Sequence, residues 1–561
     1  MGTKCWKGIC EPHPEIPGNT SKTIQNELIT ICGDMIQNRM LDDIRQAKFY
    51  SVIADEASDS ANDEQLAISI QYVDTSGNPQ EWFLGFSECI FGVTGKAIAE
   101  NITSNLGSWQ LELTNMCGQA YDGTGAMSGA TKGVAARILE KCPKAQFTHC
   151  AAHRLNLCVV KCCTIREVSN AMDCADGVVR FFNNSPKRQL FFEMCVQDER
   201  HANPQFEQRT KLKELCCTRW VEHHDAFEVF VHLYKPLIVC LETIASSPAA
   251  ERNRQTRQDA NSLLHSLLRS PLLVALMLTR EVLLMTKGLS IKLKGTYVDI
   301  VRAHKEVTLV KKQVEENRSK VDDFHQRIYT AALTLAGKVG ILEDMPRIHQ
   351  GRQQHRANPV ASSPSDFYRR TITVPMLDHL QNQLNERFDD SSESSNSLKE
   401  FMALLPSEIA GKEQQLARTD VARIINIYKD DLPSEYAIDL ELQAWSLKWK
   451  GNSESTKYNT IPNALAKADK MLYPNLHILF SIGATLPVTS AVCERSISTL
   501  RLLKPAMRST MTNARMNGLA MMFVHRELAD ALELQAVVDE FATRHNRRMH
   551  IQDLGASLDN D

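Results

Sequence analysis

The fold class predicted by this sequence is α/β: a mixed five-stranded sheet carrying helices, interrupted by a large all-helical insertion. Three observations predict it. Strand-like runs crowd into the first 150 residues. Between residues 227 and 440 the strand signals almost vanish and helical spacing takes over. Compact apolar helical stretches then return from Leu472 to about His545.

Taken in order, helical spacing runs from about Thr23 to Gln46. The first strand follows as Phe49-Tyr50-Ser51-Val52-Ile53-Ala54-Asp55, a β-rich run that ends on an acid. Leu66 to Val73 and Glu81 to Ile90 flank the turn signal Ser76-Gly77-Asn78 and read as a hairpin. A helix is expected over Gly95–Leu106, a fourth strand over Leu113–Tyr121 ending at Asp122-Gly123, and a helix over Thr131–Lys141. A short fifth strand is expected over Ala145–Cys150, with a helix from Arg154 onward. Three hairpin-linked strands followed by alternating units imply a mixed sheet with helices on its faces. That order is one a ribonuclease-H-like fold uses.

The insertion shows helical segments over Asn261–Leu284, Lys294–Val339 and Ser407–Lys429. Loops are expected at Gly351–Ser365, which holds Pro359 and Pro364, and at Asp389–Ser397. The expected organisation is a polar leader over 1–22, the first part of the core over 23–226, the helical insertion over 227–440, a second part of the core with a C-terminal helical region over 441–545, and a polar tail over 546–561.

Composition narrows the function classes. With 43% hydrophobic and 23% charged residues the chain is globular, and a net charge of -3 restricts any nucleic-acid surface to a local patch. The longest apolar run in the middle, Leu272–Leu278, falls short of the roughly 20 residues a membrane span requires, so no membrane partner is expected. Met1 to Pro14 lacks the apolar stretch of a signal peptide. Sixteen cysteines therefore read as reduced thiols, and a nuclear or cytosolic protein is expected.

The acids carry the chemistry. Asp55 closes the first strand and Asp122 the fourth, and in a sheet of this order those two strands can be neighbours. Carboxylate oxygens suit hard cations such as Mg²⁺ or Mn²⁺. Two such ions about 4 Å apart activate a water or 3′-hydroxyl and stabilise the leaving oxygen of a phosphodiester. A third carboxylate is required, and Glu494, in Val492-Cys493-Glu494-Arg495-Ser496-Ile497-Ser498 at the start of a helical run, supplies it. Each acid also has a plainer explanation: a turn after a strand for Asp55, an Asp-Gly turn for Asp122, and a dipole-favoured helix start for Glu494. Asp59 is the alternative ligand should the first strand extend further.

Five stretches in order resemble the hAT superfamily of DNA transposases and their domesticated relatives, among them zinc finger MYM-type and transposase-derived repressor proteins. They are AKFYSVIADEASD (47–59), CGQAYDGTGAMSG (117–129), HCAAHRLNL (149–157), TRW (218–220) and LPVTSAVCERSIS (486–498). The resemblance implies a ribonuclease-H-like core broken by a helical insertion, an acidic metal triad of Asp55, Asp122 and Glu494, and a C-terminal dimerisation region. It also implies DNA contacts near the site by His153, by Arg219 and by Trp220 as a platform for an unstacked base. A buried core tryptophan is the plainer reading of Trp220. The basic residues Arg495, Arg501, Lys504 and Arg508 are either phosphate contacts or solvated charges.

The CxxH of Cys150 and His153 lacks the second ligand pair of a structural zinc site. Cys5, Cys10 and His13 lack complete finger spacing, so a separate DNA-reading module is expected to be missing. Two functions follow. One is a Mg²⁺- or Mn²⁺-dependent transposase that cuts and joins DNA, using two ions. The other is a domesticated interaction or regulatory protein that keeps the fold and the dimer surface while cleavage is unused.

Overall fold

The computed structural model describes residues 21–202, 211–213, 224–248, 253–295, 297–343, 361–388, 393–411 and 416–545. Helix α1 (Lys22–Ala47) starts where the Ser21 hydroxyl accepts the Ile24 N–H at 3.3 Å. Five strands follow: β1 (Tyr50–Ser58), β2 (Glu64–Val73), β3 (Pro79–Glu88), β4 (Met116–Tyr121) and β5 (Gln146–His149). Between β3 and β4 lies helix α2 (Gly95–Ser108), and between β4 and β5 lie α3 (Gly125–Ser128) and α4 (Val134–Lys141).

The strands form one mixed sheet in the order β3-β2-β1-β4-β5, antiparallel across β3-β2-β1 and parallel across β1-β4-β5. This is the ribonuclease-H-like arrangement expected from the strand order. β1 runs to Ser58, three residues beyond the expected end at Asp55, because Glu56, Ala57 and Ser58 keep pairing with Leu66, Gln65 and Glu64. β2 is buried along almost its whole length, which explains its near-continuous apolar run.

Helices from the far end of the chain complete the sheet's core. They are α5 (Ile438–Trp449), α6 (Pro474–Thr485), α7 (Ala491–Leu503) and α8 (Asn513–Val524). Val492, Cys493, Ile497 and Leu500 of α7 and Met516, Ala520 and Met521 of α8 share one apolar cluster with Val52, Ile53, Ile68 and Ile70 of the strands. A second cluster gathers Phe401, Tyr428, Trp445 and Phe480. Helices α1 and α8 cross at glycine: a Cβ on Gly33 would lie 2.7 Å from the Gly518 Cα, and a Cβ on Gly518 would lie 2.5 Å from the Ile29 carbonyl oxygen.

The register of β2 and β3 shifts between Ile68 and Ser69, and Gly85 adopts φ +145 at this bulge. Asn517 of α8 serves the freed backbone: its Oδ1 accepts the Phe86 N–H at 2.7 Å and its Nδ2 donates to the Phe86 carbonyl at 2.8 Å. Asn517→Ala is expected to lower stability by about 2 kcal/mol, since both backbone groups lose a half-buried partner. Urea titration measures this, and an unchanged midpoint would show that water replaces the amide without loss.

Packing divides the chain into two compact units, one of residues 1–151, 294–302 and 391–561, the other of 152–293 and 303–390. These boundaries differ from those expected from composition (226 and 440). The helices Ala151–Cys162, Arg166–Asn183 and Pro186–Ala202 carry the same helical signal as the insertion. Conversely, the described residues between 393 and 440 are largely helical, and Leu398, Phe401, Leu404 and Tyr428 among them are buried in the first unit's second cluster.

Within the second unit, Ser270–Leu293 is the most buried helix and packs against Arg166–Asn183 and Val321–Lys338. The expected helix over 294–339 is two helices, Ile300–Ser319 and Val321–Lys338. The one over 407–429 is a series of short turns, Pro406–Ile409, Arg418–Val421 and Ala422–Ile427, interrupted by residues outside the described set. In the expected loop 389–397, a helix begins at Glu393; in that over 351–365, residues 351–360 lie outside the described residues and a helix begins at Pro364.

Candidate active site

Parallel pairing sets the first two acids. Ile53 of β1 is in register with Ala120 of β4. Asp55 and Asp122 each follow two residues later, so strand alternation sends both toward the same side at the same end of the sheet. Asp122 lies just past β4, where its Oδ1 accepts the N–H and O–H of Thr124 at 3.1 and 2.8 Å.

The loop behind Asp122 is compacted by glycine. A Cβ on Gly133 would lie 2.4 Å from the Gly129 nitrogen, and one on Gly95 would lie 2.3 Å from the Lys132 carbonyl oxygen. The loop thereby docks on the start of α2.

Glu494, partly buried in the first turn of α7, directly follows Cys493, which touches the sheet. Residues 488–490 lead into α7 along the end of β5: the Ala151 N–H donates to the Val488 carbonyl at 2.9 Å, and the Ser490 N–H to Cys150 Sγ at 3.3 Å. Cys150 is therefore a buried packing thiol. Cys493 Sγ then stands 3.5 Å from the Ile53 carbonyl and 3.6 Å from that of Ala67, the residue in register with Asp55. Burial pushes the Cys493 thiol far up; a hydrogen bond to Ser69 opposes this, and the charges of Asp55, Glu81 and Glu494 add to it. Asp55 and Glu494 thus act on the same buried sulfur.

Two further acids escaped sequence reasoning. Glu56 Oε2 is buried without a hydrogen-bond partner. Burial, and then the charges of Asp122 and Glu64, raise its carboxyl to about 7. Glu81 is raised to about 8 by burial, against the opposing pull of Arg495. Strand alternation assigns Glu56 to the face opposite Asp55, which hid it, and nothing in the sequence marks Glu81.

The donor set has the chemistry of a hard-cation site, being all carboxylate, and the orphaned Glu56 oxygen marks an end of the sheet short of positive charge. Among the described residues, no group of three or more His, Cys, Asp and Glu side chains is arranged to hold a metal ion. The acids share one end of the sheet without forming a closed cage.

Asp59, the alternative ligand, is committed elsewhere. Its Oδ2 lies 2.6 Å from Lys504 Nζ, and its Oδ1 accepts the N–H groups of Ala61 and Asp63 at 2.7 and 3.1 Å. Lys504 is accordingly buried, neither a solvated charge nor a free phosphate contact. His153 is half-buried on the helix Ala151–Cys162. Arg219, Trp220, Cys5, Cys10 and His13 lie outside the described residues. Among the described residues, no single helix is long and apolar enough to cross a membrane; one bent pair, His224–His232 with Tyr234–Ser246, passes by length and composition together.

Comparison with known proteins adds two family matches. Residues 4–133 match the ZMYM1/FAM200 RNase-like domain, and residues 462–528 match the hAT family C-terminal dimerisation region. The chain is similar to the "52 kDa repressor of the inhibitor of the protein kinase" of Homo sapiens, 29% identical over 520 residues that cover 92% of this chain and 66% of the relative. The Mus musculus protein of the same name is 29% identical over 535 residues, covering 95% of this chain and 69% of the relative. The chain thus spans about two thirds of the length of these relatives.

Proposed function

We propose that this chain, in which residues 4–133 match an RNase-like domain and residues 462–528 a hAT dimerisation region, acts as a self-associating regulatory factor on a transposase-derived scaffold. The carrying observation is the extent of the likeness to the two repressors, which runs through both compact units rather than stopping at the nuclease-like sheet. In this role α7 and α8 act twice, closing the sheet's core and offering their outer surfaces to a partner.

A second reading, metal-dependent DNA cleavage and strand transfer, is supported by Asp55 and Asp122 belonging to the ends of paired parallel strands and by Glu494 directly following Cys493, whose sulfur contacts β1. On this reading Asp55, Asp122 and Glu494 would have to draw together to hold two Mg²⁺ or Mn²⁺ ions, which when bound would supply Lewis-acid stabilisation of phosphodiester chemistry. The chain's own contribution is positional: the glycine loop fixes Asp122, and Cys493 anchors the turn that carries Glu494.

The two readings separate in one experiment. Sedimentation velocity is expected to show a dimer, and a strand-cleavage assay with Mg²⁺ or Mn²⁺ on the neighbouring terminal repeats is expected to show no product. Cleavage by the wild type that falls to background in Asp122→Ala would establish the enzymatic reading instead.

A further inference from the structure

Helix α5 buries Ile438, Leu442, Trp445 and Trp449 in the second apolar cluster. Its opposite side is unusual for a core helix. Tyr436, in the turn entering it, is 95% exposed, Leu440 69% and Leu447 59%. Spacings of four and seven residues put these side chains on one face, with the exposed Ala444 between them. The stripe continues onto the neighbouring loop. Lys448 donates to the Lys467 carbonyl at 3.1 Å and lies 5.1 Å from the Tyr473 ring centre, which sets the exposed Met471 and Leu472 beside the stripe's C-terminal end. Both belong to the matched dimerisation region, whereas α5 lies outside it.

The ends of the stripe carry opposite charge. Glu435 and Asp439 stand at its start, sharing Arg418 at 2.5 and 3.7 Å. Lys448 and the exposed Lys450 stand at its finish. An apolar face with acids at one end and lysines at the other is complementary to itself when turned end for end, the requirement of an isologous two-fold contact. We propose that a second copy of this chain docks here, α5 packing antiparallel on its counterpart so that the acids of one copy face the lysines of the other. The inference rests on the self-association reading and extends the contact surface beyond the matched region. A stripe on a helix of 12 residues, about 18 Å long, buries less than the roughly 1,200 Å² or more of a stable interface, so Met471, Leu472 and their neighbours join it.

The test uses the full chain in sedimentation velocity across a concentration series, with thermal melts to verify folding. Leu440→Glu/Leu447→Glu is expected to raise the dimer dissociation constant at least tenfold at an unchanged melting temperature. Leu309→Glu, which changes an exposed residue of the second unit, is expected to leave it within twofold. Lys450→Glu is expected to weaken the dimer, and adding Asp439→Lys to restore it. A wild-type dimer that the double glutamate variant leaves intact overturns this assignment while sparing self-association. A wild type that stays monomeric throughout overturns both.

Discussion

Lys504→Met is expected to destabilise the protein by about 3–5 kcal/mol, the effect of stranding a buried carboxylate. The Lys504 side chain is 2% exposed and that of Asp59 0%. Burial raises the Asp59 carboxyl, but the Lys504 ammonium and the N–H groups of Ala61 and Asp63 outweigh it and hold the carboxyl below its ordinary range. Burial likewise lowers the Lys504 ammonium, and Asp59 and Asp63 bring it above its usual value.

The pH dependence follows with opposite signs. The contribution of Asp59 is present above its unfolded value of about 3.9 and is lost as pH falls through its depressed folded value. That of Lys504 is present below about 10.4 and is lost as pH rises through its raised folded value. Chemical unfolding of wild type and Lys504→Met across both limbs measures this. The double variant Asp59→Asn/Lys504→Met is expected to recover much of the loss. A single variant as stable as the wild type would mean that water reaches the pair.

Gly518→Val is expected to be comparably damaging, at or above the upper end of the roughly 1–3 kcal/mol usual for overpacking. Around a Cβ at this position stand the Ile29 carbonyl oxygen at 2.5 Å and the Ile29 Cγ2 at 2.9 Å. The oxygen belongs to the backbone of α1 and cannot rotate aside, so the two helices must separate. Thermal melting combined with limited proteolysis reports it: the variant should melt earlier and be cut first within Lys22–Ala47. Wild-type melting and an intact α1 would rule out a tight crossing.

Much of this architecture was legible in the sequence because strand alternation and helical spacing are local signals. The β1–β4 pairing was accessible through strand order alone, and with it the position of Asp55 and Asp122 at the same end of two paired strands. What stayed hidden depends on partners distant in the chain. Asp59 looks like a spare ligand until Lys504 arrives from beyond α7, and Glu81 looks like an ordinary strand acid until the core closes over it. Glu494 enters as a candidate through motif resemblance, since spacing carries no information across so long an interval. The packing units part from the compositional boundaries where helices of similar composition serve two different cores.

The contribution of α7 and α8 to the sheet also bears on how the polypeptide is made. The first 150 residues emerge from the ribosome with five strands, yet Val52, Ile53, Ile68 and Ile70 share their core with Cys493, Ile497, Met516 and Ala520. At about 5–20 residues per second, synthesis leaves those strands without their covering for on the order of tens of seconds. Until α7 and α8 arrive the strands keep apolar surface uncovered, and truncation within either helix is expected to yield aggregates rather than a smaller folded fragment.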